Sequence, residues 1–140
     1  RTLTNNMIMK VLLYMIIFPA IMLTATPGFL QGQEVSDMAN QAIRNGDAGK
    51  LSDYFNSSID IILPDIDQSM SKSHATQVMK DFFRDNPPRS FTVNHTGSSR
   101  EATKYTIGTY KSGSKSFKTY MLLKEIDGNY LIVQLQFEQE

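Results

Sequence analysis

The sequence predicts an α+β domain in which N-terminal helices pack on an antiparallel sheet. Two observations carry this expectation. Between residues 35 and 83 apolar side chains recur mainly at helical spacing, whereas from residue 90 onward they alternate. The change of rhythm falls at Pro87-Pro88, where a helix loses both its N–H donor and the geometry of the residue before it. Helices followed by a run of strands is the layout in which the helices gather on one face of the sheet.

The elements follow in order. Val35, Met38, Ala39, Ala42 and Ile43 form an amphipathic stripe, and Gly46 is placed to end it. Asp47 can cap a second, short helix that turns Leu51, Tyr54 and Phe55 inward. The run "SSIDIIL" alternates over 58–63 and stops at Pro64, so it reads as a strand. A third helix starts near Lys72 with Ser71 as its N-cap and presents Ala75, Val78, Met79, Phe82 and Phe83. Four strands are expected at 90–96, 104–111, 116–125 and 129–137, divided by "GSSREA", "SGS" and "DG". Asp127-Gly128 is a strong two-residue hairpin signal. In the last two strands both alternating sets are partly apolar, so either the sheet curls around a core or its second face meets another subunit.

The segment 1–32 is set apart from this single domain at 33–140. "MIMKVLLYMIIFPAIMLTATPGFLQGQ" places one Lys ahead of an uncharged apolar run at 11–23, followed by small and polar residues. That is the layout of a secretory signal peptide, with cleavage expected after Gly28 or Gly32. Pro19 and the polar residues from Thr24 shorten the run below the roughly 20 residues of a spanning helix, so no stable membrane anchor is expected after cleavage. A periplasmic or secreted location follows, and the absence of cysteine fits a bacterial periplasm.

From Gln33 onward 12 Lys and Arg stand against 14 Asp and Glu, a formal charge of −2, which gives no general attraction to nucleic acid. Acidic residues dominate 34–70 and basic residues 71–124, a division that suggests two differently charged faces. No phosphate-binding glycine loop, nucleophile elbow or H-E-x-x-H helix is present. Asp65-x-Asp67 begins like a calcium loop, but Ser69 and Met70 break the pattern. His74 and His95 have no acidic cluster at ligand spacing. Neither metal nor cofactor is therefore expected. Lys104, Lys111, Lys115, Lys118 and Lys124 lack interleaved stacking aromatics and read as edge-strand charges that discourage sheet pairing.

Four residues remain as candidate pocket groups, none of them assigned a catalytic role. His95 shares strand parity with Phe91 and Val93 and should point to the covered side, where an imidazole can exchange protons near neutral pH. Asp60 alternates with Ile59 and Ile61 and belongs to the opposite side of its strand. Tyr105, like Tyr120 and Tyr130, can donate to an oxyanion but serves equally well in packing, and Tyr54 sits at the inward side of the short helix.

"AIRNGDAGKLSDYFN", "MKDFFRDNPPRSFTVNHTGSS" and "YMLLKEIDGNYLIVQLQFE" resemble the bacterial exported domain-of-unknown-function family numbered 4783, over about 35–138. The element order is similar to the wider nuclear transport factor 2-like (cystatin-like) superfamily. This resemblance implies a strongly curved sheet that forms a conical pocket with the helices. The superfamily includes isomerases, dehydratases and dimerising scaffolds, so fold alone does not choose an activity. The expectation is non-enzymatic binding of a small apolar or anionic ligand, or of a protein partner, through the cone or the outer sheet face. A cofactor-free isomerase or dehydratase and a structural homodimer joined through the sheet face are the alternatives.

Overall fold

The chain is seen in a computed structural model that describes residues 27–99 and 101–140, with side chains from residue 32 onward. The expected signal segment at 11–23 lies outside the described residues. Among the described residues no helix is long and apolar enough to cross a membrane.

The first helix, α1 (Pro27–Asn45), buries Ala39, Ala42 and Ile43 together with two polar residues, Ser36 and Asn40. Its C-terminus closes in a Schellman arrangement: Asp47 N–H donates to Ala42 O at 2.9 Å and Gly46 N–H to Ile43 O at 3.1 Å. Gly46 carries φ of 61°, a left-handed conformation that glycine adopts without a Cβ penalty. The Asp47 carboxylate then accepts from Lys50 N at 3.0 Å and starts α2 (Ala48–Ser52), which buries Leu51.

Strand β1 (Phe55–Leu63) begins three residues earlier than the sequence pattern suggested, and Phe55 is buried as a strand residue. The strand β2 (Ile66–Ser71) is an element that the sequence reading did not contain. Pro64 and Asp65 form the two-residue turn, and Leu63 pairs with Ile66. In β2 only Met70 is fully buried, because it is an edge strand, and its remaining polar side chains conceal the apolar alternation that marks a strand.

Ser71 then accepts from His74 N at 3.2 Å and caps α3 (Lys72–Asp85), as predicted, and Ala75, Met79, Phe82 and Phe83 form its buried face. The four remaining strands are β3 (Ser90–Ser99), β4 (Thr103–Ser112), β5 (Lys115–Ile126) and β6 (Asn129–Gln139). Asp127 and Gly128 both have positive φ, 52° and 83°, the requirement of a two-residue hairpin turn whose twist matches its strands.

The strands form one sheet in the order β2-β1-β6-β5-β4-β3. All neighbours are antiparallel except β1 and β6, which run parallel where β6, the last strand of the meander, lies between β1 and β5. The helices lie on one face. A bulge between Leu122 and Leu123 leaves Val133 unpaired on β6. The extra residue changes the parity of that strand, so Tyr130, Ile132, Leu135 and Phe137 are all buried on the same side. Much of the doubled apolar pattern read in β6 is thus resolved onto the helix-facing side.

Candidate functional site

The space between α3 and the sheet is filled with rings. Phe82 from α3 lies with its centroid 4.7 Å from Phe137, 5.4 Å from Phe117 and 5.8 Å from Tyr110. Phe83 packs 6.1 Å from Tyr110 and 6.4 Å from Phe137. These tilted and edge-on contacts are the preferred geometry of aromatic pairs. The Tyr110 hydroxyl donates to Asn86 O at 2.5 Å, which ties the helix end to β4. Burial pushes the Tyr110 phenol well above its ordinary value.

This shift has a stability consequence with a definite sign. The folded protein holds the Tyr110 proton more tightly than the unfolded chain, so the contribution is complete below the unfolded value of about 10 and is lost as pH rises toward the folded one. Urea melts across alkaline pH should show a midpoint that declines above about pH 10, with the decline reduced in Tyr110→Phe. An equal decline in both proteins would assign the effect to other groups.

A seam of polar residues crosses the same interior beneath α1. The hydroxyls of Ser36 and Thr106 are hydrogen-bonded at 3.3 Å. The Asn40 carboxamide oxygen and the Thr119 hydroxyl are buried with no hydrogen-bond partner among the described residues. An orphaned buried polar group costs about 1 to 3 kcal/mol. Sequence reasoning missed this seam, although Ser36 and Asn40 stand one helical turn apart within the apolar stripe of α1.

The four residues singled out from sequence do not meet in the interior. A bulge between Val93 and His95 leaves Asn94 unpaired, so Val93 faces Gly108 while His95 pairs with Ile107. One extra residue reverses the side-chain alternation. His95 is consequently exposed on the outer face and not on the covered side. Tyr105, half-buried on the same outer face, is a diagonal neighbour of His95 and stacks on Tyr120 at 6.4 Å with an interplanar angle of 20°. Asp60 is also on the outer face, exposed and hydrogen-bonded by the Ser69 hydroxyl, three strands away from β4. Tyr54 is half-buried at the other side of the molecule, where its hydroxyl donates to Met38 Sδ at 3.2 Å.

His95 and Tyr105 are therefore brought together, whereas Asp60 and Tyr54 stand apart from them. Around them the outer face carries Ile107, Tyr120, Leu122, Leu131 and Ile62, all half-buried, with Gln134 and Gln136 between. No described helix covers this face. Lys104 and Lys111 fall on β4 and Lys115, Lys118 and Lys124 on β5, which are not sheet edges. The edges are β2 and β3, and the edge-protection reading of these lysines is corrected accordingly.

A cleft of about 650 Å³ runs between α1 and β3, lined by Gln33, Asp37, Asn40, Arg44, Val93 and Thr96 among others. Arg44 Nε donates to Phe91 O at 3.1 Å, and its guanidinium lies 5.9 Å from the Phe91 ring centroid. Among the described residues no group of three or more His, Cys, Asp or Glu could hold a metal ion.

The fold has close counterparts. A DUF4783 family protein from Bacteroides ovatus ATCC 8483 superposes with a TM-score of 0.72 at 28% identity, covering 78% of this chain and 98% of that one. One from Bacteroides uniformis ATCC 8492 gives a TM-score of 0.70 at 23% identity, covering 74% and 95%. An NTF2-like protein of unknown function from Shewanella baltica OS155 gives 0.62 at 14% identity, covering 84% and 97%, a likeness of fold alone. No curated protein matches the sequence. The family described as "Domain of unknown function (DUF4783)" matches residues 36–138, and with an NTF2-like arrangement of helices on a six-stranded sheet the chain belongs to that family.

Proposed function

We propose that this protein is an exported, non-enzymatic binding module whose interface is the open sheet face and whose partner there is a second copy of the chain. The observation that carries this reading is the contrast between the two sides of the sheet. The helix-facing side is occupied by Phe82, Phe83, Tyr110, Phe117 and Phe137. The outer side presents Tyr105, Ile107, Tyr120 and Leu122 with no described element above them. The two residues that the sequence offered as acid or base for an isomerase or dehydratase, Asp60 and His95, are both on the outer face and not in the cone.

Charge favours self-pairing over an unrelated partner. On the outer face Asp60 and Asp67 lie on β1 and β2, while Lys111, Lys118 and His95 lie on β3 to β5. A twofold axis parallel to the strands sets the acidic side of one copy against the basic side of the other, and such a contact is self-complementary. Light scattering over a concentration series is expected to rise to twice the monomer mass, and Tyr120→Glu is expected to hold the protein at the monomer mass with its native far-UV circular dichroism retained. A monomer mass for the unaltered protein at high concentration would overturn the proposal.

A further inference from the structure

The cleft between α1 and β3 lies on the opposite side of the sheet from the proposed dimer face and has its own chemistry. Arg44 is held from two sides: its Nε is committed to Phe91 O, and its planar group rests over the Phe91 ring. Its two Nη groups bond no other described residue, so the outer fork is presented with little rotamer freedom left to lose. One turn toward the N-terminus, about 6 Å along the helix, Asn40 lines the same cleft. That residue is only 6% exposed, and its carboxamide oxygen has no partner among the described residues. A further turn back stands Asp37, which accepts from Gln33 Nε2 at 2.9 Å and forms no ion pair with any described residue.

A fixed donor fork thus stands at one end of the cleft, and two acceptors, one neutral and one charged, stand at the other. A fork of this kind takes a carboxylate through paired, charge-assisted hydrogen bonds. The Asn40 oxygen is buried without the N–H or O–H donor it requires, and the Asp37 carboxylate favours a cationic donor. We propose that the α1–β3 cleft binds a zwitterionic amino-carboxylate, from an amino acid to a dipeptide. Arg44 holds the carboxylate, and Asn40 and Asp37 receive the ammonium group. Val93 and Thr96 on β3 form the opposite wall, against which the ligand side chain packs.

The test is a titration followed by ¹H–¹⁵N spectra that include the Arg44 Nε–H and Asn40 side-chain amide signals. L-alanine and L-alanyl-L-alanine are the zwitterionic probes, and propionate and L-alaninamide each retain one of the two charges. The zwitterions are expected to shift both signals saturably. Removal of either ligand charge should weaken binding by about tenfold or more, the scale of a lost charge-assisted hydrogen bond. Arg44→Gln should weaken both zwitterions to the same extent. If loss of the Phe91 contact unfolds that variant, Asp37→Asn, at an exposed position, is expected to weaken the zwitterions and leave propionate unaffected. The proposal is overturned if neither zwitterion produces a saturable shift at Asn40 and Arg44, or if binding persists undiminished in the variant that folds. It is equally overturned if crystals soaked in L-alanyl-L-alanine show an ordered water on the Asn40 oxygen and an otherwise empty cleft.

Discussion

Phe82→Ala is expected to lower the unfolding free energy by about 3 to 5 kcal/mol, the range of buried aromatic truncations. Phe82 is 7% exposed and touches four other rings, contributed by α3 itself, β4, β5 and β6. Truncation therefore removes both its own apolar area and the surface against which those rings are packed. The surrounding rings are held by three hydrogen-bonded strands, so collapse into the vacated space is restricted and much of the cavity term persists. His95→Ala provides the contrast, since an exposed outer-face side chain away from special backbone geometry usually changes stability by less than about 0.5 kcal/mol. Urea melts of the two variants decide the matter. Equal destabilisation would mean that His95 carries packing that its exposed position does not reveal.

How much of this was legible in the sequence depends on whether each signal is local. The caps at Asp47 and Ser71, the stop at Gly46 and the hairpin at Asp127-Gly128 are fixed by side chains within three or four residues, and all stand as read. The stripe of α3 is similarly local, and it identified Phe82 and Phe83 as core residues. Strand β2 escaped because an edge strand with one buried side chain carries almost no apolar alternation. The parallel pairing of β1 with β6 joins residues more than seventy positions apart, and nothing in either segment specifies it.

The candidate site was read least well, for a single physical reason. Alternation assigns faces only while the strand is regular, and the bulges at Asn94 and Val133 each reverse the assignment downstream. His95 was transferred by one residue from the helix side to the outer face. The cleft residues Asp37, Asn40 and Arg44 were invisible for a different reason, because their importance comes from the approach of α1 to Phe91 and Val93, a contact between segments that are distant in sequence.

One sequence signal for the first bulge did exist, and it supports the second large prediction. A glycine within a strand marks a bulge or a close backbone approach, and Gly108 stands in the middle of β4, directly opposite Val93. A Cβ at that position would meet Phe91 Cε2 and the Thr92 carbonyl oxygen, each at 2.7 Å. An unencumbered Phe91 ring would turn aside, but this one lies beneath Arg44, and the Thr92 oxygen belongs to the backbone that leads into the bulge. Gly108→Ala is therefore expected to cost about 1 to 3 kcal/mol through overpacking. Gly113, in the turn before β5, provides a different kind of cost: no atom of the described residues lies within 4 Å of its would-be Cβ, but φ is 56°. There Ala pays about 1 to 2 kcal/mol of left-handed backbone strain, and Asn, which tolerates that conformation, should recover much of it. At Gly108 the same change to Asn should be worse than Ala, because the obstacle is space and not dihedral angle. Chemical denaturation of the four variants, Ala and Asn at each position, tests the distinction. Recovery by Asn at 108 would show that the glycine serves the backbone conformation there, and that the close approach of Phe91 does not set the bulge.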